Sequence, residues 1–100
     1  MDKATQMGAV EAEVLKVLGM SQYMAKAYDN AIKSLSLAVS KGISDVETYM
    51  ALGKSRMEMK QYEGAIADLN QAIKLGNNEA ETYLLLGKAQ YEQGMKEPAA

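Results

Sequence analysis

Residues 46–79 read VETYMALGKSRMEMKQYEGAIADLNQAIKLGNNE, and much of this 34-residue stretch recurs on either side of it. Gly53 has counterparts at Gly19 and Gly87, each 34 residues away. Further columns in the same register are Leu18, Leu52 and Leu86; Ala31, Ala65 and Ala99; Tyr28 and Tyr62; Ile32 and Ile66; Leu35 and Leu69; Ala38 and Ala72; and Gly42 and Gly76. Several independent columns at one period indicate stacked supersecondary units, none of which can bury its apolar face alone.

Each unit has the pattern of two amphipathic helices. Apolar residues recur at helical spacing over residues 45–60 and again over residues 62–75. Because only Lys60 and Gln61 separate the two patterns, the turn is tight and the helices must be antiparallel. Helices of about 14 residues are roughly 21 Å long and are unstable unless they pack against neighbours. The predicted fold class is all-α, with about five helices.

Helix ends are marked at the boundaries between units. Gly42 and Gly76 are suited to the left-handed backbone that ends a helix. Two pairs of residues fit a capping box that would start the next helix: Ser44 with Glu47, and Asn78 with Glu81. These stop and start signals agree with one another, which favours the predicted boundaries.

The recurring small residues predict close helix packing. Gly19, Gly53 and Gly87 interrupt predicted helices at a cost of up to about 1 kcal/mol each relative to alanine. Their recurrence indicates that a neighbouring helix approaches closely, with Ala31 and Ala65 as the expected counterparts. Leucine at Gly53 or Ala65 should therefore cost roughly 1–3 kcal/mol through overpacking.

Composition argues against several classes of function. The 11 Lys and Arg residues are scattered among 13 Asp and Glu, with a net charge of −2, so nucleic-acid binding is not expected. The chain has no His and no Cys, which removes the commonest general base and the strongest nucleophile. No clustered set of metal ligands is visible. We therefore expect no enzymatic activity, no metal and no cofactor.

The hydropathy pattern bears on the compartment. No apolar run approaches the roughly 18 residues of a membrane span, and no signal-peptide segment precedes the repeats. The cytoplasm is the default prediction, and the periplasm or another compartment is the alternative if a leader was removed.

Together these columns resemble those of the tetratricopeptide repeat (TPR) family, read from Ala12, Val46 and Ala80. The matching residues are Leu15, Tyr49 and Tyr83 at position 4; Leu18-Gly19, Leu52-Gly53 and Leu86-Gly87 at positions 7 and 8; Ala31, Ala65 and Ala99 at position 20; Leu35 and Leu69 at position 24; and Ala38 and Ala72 at position 27. The chain departs from the family at position 32, where the usual proline is replaced by Ile43 and Asn77.

This resemblance implies a single domain over residues 1–100 with the fold of a TPR solenoid, an α-α superhelix of antiparallel helix pairs. Repeat one is residues 12–45, repeat two is residues 46–79 and a partial third repeat is residues 80–100, preceded by residues 1–11 as a helix extension or a frayed tail. The last helix is expected to cover repeat two as a cap, with residues 95–100 frayed. Either the natural protein continues beyond Ala100, or another chain covers this face.

The family's partner peptides usually bind on the concave side, which the first helices line. By resemblance, the groove positions are Glu13, Lys16, Met20, Tyr23 and Met24; Glu47, Met50, Lys54, Met57 and Glu58; and Glu81, Leu84, Lys88, Tyr91 and Glu92. The alternative is that some of these side chains pack against neighbouring helices, Tyr23, Met57 and Tyr91 above all. Lys54 and Lys88 each precede a glutamate by four residues, so ordinary surface ion pairs are expected there.

One subtype of the family is disfavoured. Its chaperone-binding members hold a peptide's carboxylates with a clamp of Lys, Asn, Asn, Lys and Arg. The matching residues here are Lys16, Met20, Ala51, Glu81 and Leu85, of which only Lys16 agrees. Glu81 also places a negative charge where a carboxylate needs a cation, so acidic chaperone tails are not expected partners.

Two functions remain open at this point. The first is a protein–protein interaction scaffold that binds a peptide or helix of a partner protein in an apolar groove rich in Met and Tyr. The alternative is a structural module that forms a homodimer through the uncovered face of the last helix, where Tyr83 and Leu86 lack a partner helix.

Overall fold

A computed structural model of the chain describes residues 3–96, with side chains described over residues 8–95. This part of the chain forms five helices and no strand. They are α1 (Lys3–Met24), α2 (Tyr28–Ser40), α3 (Val46–Glu58), α4 (Tyr62–Lys74) and α5 (Ala80–Lys96). The predicted all-α fold is confirmed. α1 includes the residues before Ala12, and residues 95 and 96, which are expected to fray, belong to α5. Pro98 and Ala99 lie outside the described residues.

The helices pack as consecutive neighbours in an elongated array. α1 packs on α2 and α3 packs on α4, while α2 contacts α3 and α4 contacts α5. Smaller contacts join α1 to α3 and α3 to α5, so the first helices of successive units also meet. The array measures 53 × 27 × 27 Å. This layout leaves α1 at one end and α5 at the other.

Two clusters of buried side chains hold the units together. The first joins Ala31 and Leu35 of α2 to Ala51 and Leu52 of α3. The second consists of Met50, Leu69 and Ala72, and Leu85 and Leu86 of α5 pack against it. Each cluster therefore spans the boundary between one helix pair and the next, which is why no single pair could be stable alone.

The glycines allow close approach as predicted, but their counterparts differ from the prediction. A Cβ atom on Gly19 would lie 2.5 Å from Leu35 Cγ, and one on Gly53 would lie 3.0 Å from Leu69 Cδ2. The residues that fill the space beside the glycines are thus leucines. Ala31 and Ala65, the expected counterparts, are fully buried nearby. At Gly87 an added Cβ would meet no described atom within 4 Å, because no second helix of the third unit is present among the described residues.

Gly42 and Gly76 end α2 and α4 in the predicted left-handed conformation, each with φ +114°. Around Gly42, the backbone amides of Gly42 and Ile43 donate to the carbonyls of Val39 and Ala38. These two bonds satisfy carbonyls that the end of a helix leaves unpaired. The confirmed turns fix where α3 and α5 begin.

The predicted capping boxes are wrong. The N-cap of α3 is Asp45, whose carboxylate accepts a hydrogen bond from the Thr48 amide at 2.8 Å. Asp45 is one residue closer to the helix than Ser44, and Lys16 of α1 also holds its carboxylate. Before α5, the side chain that accepts hydrogen bonds from the start of the helix is that of Asn77. Asn78 and Glu81 do not form the expected pair, because Glu81 turns instead toward α3.

Candidate functional site

Two adjoining cavities form a groove along one side of the array. The larger, of about 730 Å³, is lined by Tyr23, Tyr28, Lys54, Met57, Glu58, Lys60, Tyr62, Glu81, Leu84, Leu85, Lys88 and Glu92. The smaller, of about 420 Å³, is lined by Met20, Tyr23, Val46, Glu47, Met50, Ala51, Lys54, Asn77 and Glu79. Tyr23 and Lys54 line both cavities, so they lie where the two meet. We refer to the two together as the concave groove.

The structure brings most of the predicted groove residues together. Those in the larger cavity are Tyr23, Lys54, Met57, Glu58, Glu81, Leu84, Lys88 and Glu92, and those added by the smaller cavity are Met20, Glu47 and Met50. Four predicted residues line neither cavity: Glu13, Lys16, Met24 and Tyr91. Met24 and Tyr91 are largely exposed elsewhere.

Lys16 serves to join α1 to the start of α3. Its Nζ donates to Asp45 Oδ2 at 2.9 Å and lies 3.1 Å from Glu47 Oε1. The hydrogen bond to Asp45 raises the pKa of Lys16, although partial burial opposes the shift. Burial alone would raise the pKa of Asp45, but its hydrogen bonds from Lys16 and Thr48 outweigh burial and lower it. Lys16 is therefore already engaged by two carboxylates.

Lys54 forms an ion pair across the larger cavity, and the expected pair with Glu58 is wrong. Its Nζ lies 2.6 Å from Glu81 Oε1, which links α3 to α5. The hydrogen bond to Glu81 raises the pKa of Lys54, against the opposing effect of burial. Within the described residues, neither Lys88 nor Glu92 forms an ion pair. Within the described residues, the groove thus offers two lysines, Lys60 and Lys88, and carboxylates that are not already neutralised by an ion pair.

Met50 belongs more to the core than to the groove surface. Only 9% of it is exposed, and it packs with Leu69 and Ala72. Its Sδ lies 3.5 Å from the buried Thr82 hydroxyl. A charged residue at position 50 would therefore disturb the fold as well as the groove.

Tyrosines from the second helices also line the groove, although they are absent from the predicted set. Tyr28 and Tyr62 occupy the first position of α2 and α4 and face the larger cavity. The Tyr23 and Tyr28 rings meet edge to face, with centroids 6.2 Å apart and an interplanar angle of 64°. The 34-residue spacing of Tyr28 and Tyr62 is a usable signal, but the predicted groove includes residues of the first helices only.

Comparison with known families agrees with this architecture. A family model described as TPR repeat matches residues 53–94, from the middle of α3 through most of α5. This match and the five-helix array fit a TPR-like repeat protein. No curated protein matches the sequence. Among the described residues, none of the five helices has the length and apolar character needed to cross a membrane.

The last helix, α5, has no following helix packed on it among the described residues, and its repeat positions are less buried than those of α3. Leu52 of repeat two is 2% exposed, whereas its counterpart Leu86 is only half-buried, against the second core cluster. Tyr83 is 50% exposed, and its counterpart Tyr49 is half-buried. The face predicted for self-association is therefore uncovered at Tyr83, but Leu86 already contributes to the core.

Proposed function

We propose that this TPR-like chain is a protein–protein interaction scaffold that binds a peptide or a helix of a partner protein in its concave groove. The observation that carries the proposal is the cavity of about 730 Å³ between α3 and α5, where tyrosine, methionine and leucine side chains meet a few charged groups. Binding sites of this kind combine an apolar surface with a small number of polar groups that orient the ligand.

The lining favours an apolar or amphipathic peptide. Tyr23, Tyr62 and Leu84 supply broad apolar surface, and the thioether of Met57 adapts to differently shaped side chains. Lys88 adds a cation that no described carboxylate neutralises. An amphipathic helix that lays its apolar side on this surface would use both features.

Acidic chaperone tails remain disfavoured as partners. Lys16 is the single residue that matches the family's carboxylate clamp, and Asp45 and Glu47 already hold it. Glu81 pairs with Lys54, so neither residue is free to bind a terminal carboxylate. We also expect no enzymatic activity, since TPR modules are typically interaction modules.

The test is binding of helical peptides selected from a displayed random library against the wild-type chain. Met57→Glu combined with Leu84→Glu should weaken the selected peptides by at least about tenfold, because both carboxylates would enter the apolar part of the groove. Leu37→Glu is the matched control, since Leu37 is also a partly exposed leucine but lines neither cavity. Circular dichroism confirms that each variant is folded. Undiminished binding in the double variant, or equal loss in the control, would reject the groove.

Self-assembly through α5 is the second candidate function, and the space at Gly87 that no described residue fills, beside the exposed Tyr83, favours it. Tyr83→Glu should then dissociate a homodimer. Tyr83 is the better test position than Leu86, because a charge at Leu86 would also disrupt the core cluster that it contacts. An oligomer that survives Tyr83→Glu would exclude this face.

A further inference from the structure

An apolar ridge runs along the outer side of α1, at the opposite end of the array from α5. Val10, Val14, Val17 and Met24 are 62%, 59%, 63% and 78% exposed, and Ser21 lies between the last two. We call these five residues the α1 ridge. Their successive spacings are four, three, four and three residues, which is the heptad spacing of a helix that packs against another helix.

The α1 ridge has no role in the packing of its own chain. Ala12 and Gly19 mark the side of α1 that faces α2, and they are buried. At about 100° per residue, Val10, Val14 and Val17 lie about 180° around the helix from that buried side. None of the ridge residues lines the concave groove. Valine is a weaker helix former than alanine or leucine, so helix propensity does not account for three exposed valines.

We propose that the α1 ridge is a dimerisation surface on which α1 of a second copy of this chain packs in the antiparallel direction. Two identical ridges with heptad spacing are self-complementary, because the knobs of each fit between the knobs of the other. Such an interface is closed by two-fold symmetry and stops at a dimer. The α1 ridges of the two copies would then be the centre of the interface.

Charges beside the ridge favour the second copy and fix its direction. Glu11 and Glu13 flank the N-terminal half of the ridge, and Lys26 follows its C-terminal end. Glu13 and Lys26 are exposed, and neither forms an ion pair within the described part of the chain, while Glu11 lies 3.6 Å from Lys41. In an antiparallel pair the acidic end of each α1 lies beside Lys26 of the other copy. A parallel pair would instead gather four carboxylates at one end.

This surface is distinct from the concave groove and from the uncovered face of α5. A dimer formed through the α1 ridge leaves both cavities open, because no ridge residue lines them. If the α1 ridge does not form a dimer, the proposal of peptide binding in the concave groove still stands. If the groove does not bind peptides, the proposed dimer still stands.

The first experiment is the solution mass of residues 1–100 by light scattering over about 1 µM to 1 mM. The wild type should dimerise, and Val14→Glu with Val17→Glu should raise the dissociation constant at least about tenfold by burying carboxylates in the seam. Leu37→Glu and Tyr83→Glu, which change exposed apolar residues elsewhere, should leave the dimer intact. A wild type that is monomeric throughout, or a dimer unaffected by the valine changes, overturns the proposal.

A charge-reversal series tests the direction without touching the apolar ridge. Glu13→Lys and Lys26→Glu should each weaken the dimer about two- to fivefold, as expected for exposed ion pairs. The double variant should recover the wild-type dissociation constant, because the antiparallel pair restores opposite charges. A double variant that is weaker than both single variants overturns the antiparallel arrangement.

Discussion

Gly19 and Leu35 share one space at the contact between α1 and α2: a Cβ on the glycine would lie 2.5 Å from the leucine Cγ. Gly53 and Leu69 repeat the relationship between α3 and α4, with Cβ distances of 3.0 and 3.1 Å to the leucine side chain. Gly87 occupies the same position of the repeat, but the space beside it is open among the described residues. The same glycine position therefore permits close helix packing in the first two repeats, whereas in the third repeat an added side chain would meet no described atom.

Alanine substitution at these glycines should have opposite effects. Gly87→Ala should stabilise the fold by up to about 1 kcal/mol, since alanine favours the helix and meets no neighbour in the part of the chain that the structure describes. Gly19→Ala should destabilise it by roughly 1–3 kcal/mol, because the methyl group displaces Leu35. Urea unfolding of both variants measures the difference. Equal stabilisation at the two positions would show that the contact with Leu35 is easily relieved.

The start of α3 should depend on Asp45 and not on Ser44. Asp45→Ala should cost about 1 kcal/mol, because the Thr48 amide loses its acceptor. Ser44→Ala should be nearly neutral. Asp45→Asn keeps a capping oxygen but loses the charge that Lys16 holds, so it separates capping from the ion pair. Thermal unfolding followed by circular dichroism measures the loss of stability in each variant. A larger loss at Ser44 than at Asp45 would contradict this assignment.

Asp68 should give the chain an unusual pH dependence. It lies largely buried beside Arg56, with Nε and Oδ2 2.8 Å apart but not aligned as a hydrogen bond. Burial raises the pKa of Asp68 to about 6, and the Arg56 charge only partly opposes the shift. Because the folded-state pKa exceeds the ordinary value of 3.8, the folded state binds the proton more tightly. The stability contributed by this group is therefore complete below about pH 4 and is lost as pH rises through about 6.

Asp68→Asn isolates this effect, since the amide does not titrate. The free energy of unfolding of the wild type, relative to that of the variant, should fall between about pH 4 and pH 6.5. Urea unfolding at several pH values measures this difference, and carboxyl groups such as Asp45 cancel because both proteins contain them. A difference that stays constant with pH would show that folding does not raise the pKa of Asp68.

The loop before α5 should depend on Asn77. Its Oδ1 accepts hydrogen bonds from the Thr82 hydroxyl at 2.6 Å and from the Glu79 amide at 3.0 Å. Asn77→Ala leaves the buried Thr82 hydroxyl without that acceptor and should cost about 1–3 kcal/mol. Asn78→Ala, one residue along in the exposed part of the same loop, is the matched control and should change stability little. Equal effects at the two positions would contradict a specific role for Asn77.

Features that repeat along the chain are predictable from the amino-acid sequence. Examples are the 34-residue period, the helix pairs and the left-handed glycines at 42 and 76. They can be predicted from local sequence patterns, because the helices and turns of each repeat depend on neighbours within a few residues. The groove positions are also partly predictable, because regular helices bring residues with the same repeat position to one side. Tyr23 and Met57, which hold the same repeat position, meet in one cavity for this reason.

Contacts between distant residues were decided by the tertiary structure. Lys54 turns to Glu81 on another helix and not to Glu58 on its own, and Lys16 reaches across to Asp45. Met50, although at a groove position, is drawn into the core by Leu69 and Ala72. The sequence by itself determined the repeat, its helices and its turns, because these arise from local backbone preferences and periodic burial. The tertiary structure alone decided which side chains pair and which remain exposed, because those outcomes depend on distances set by the packing of whole helices.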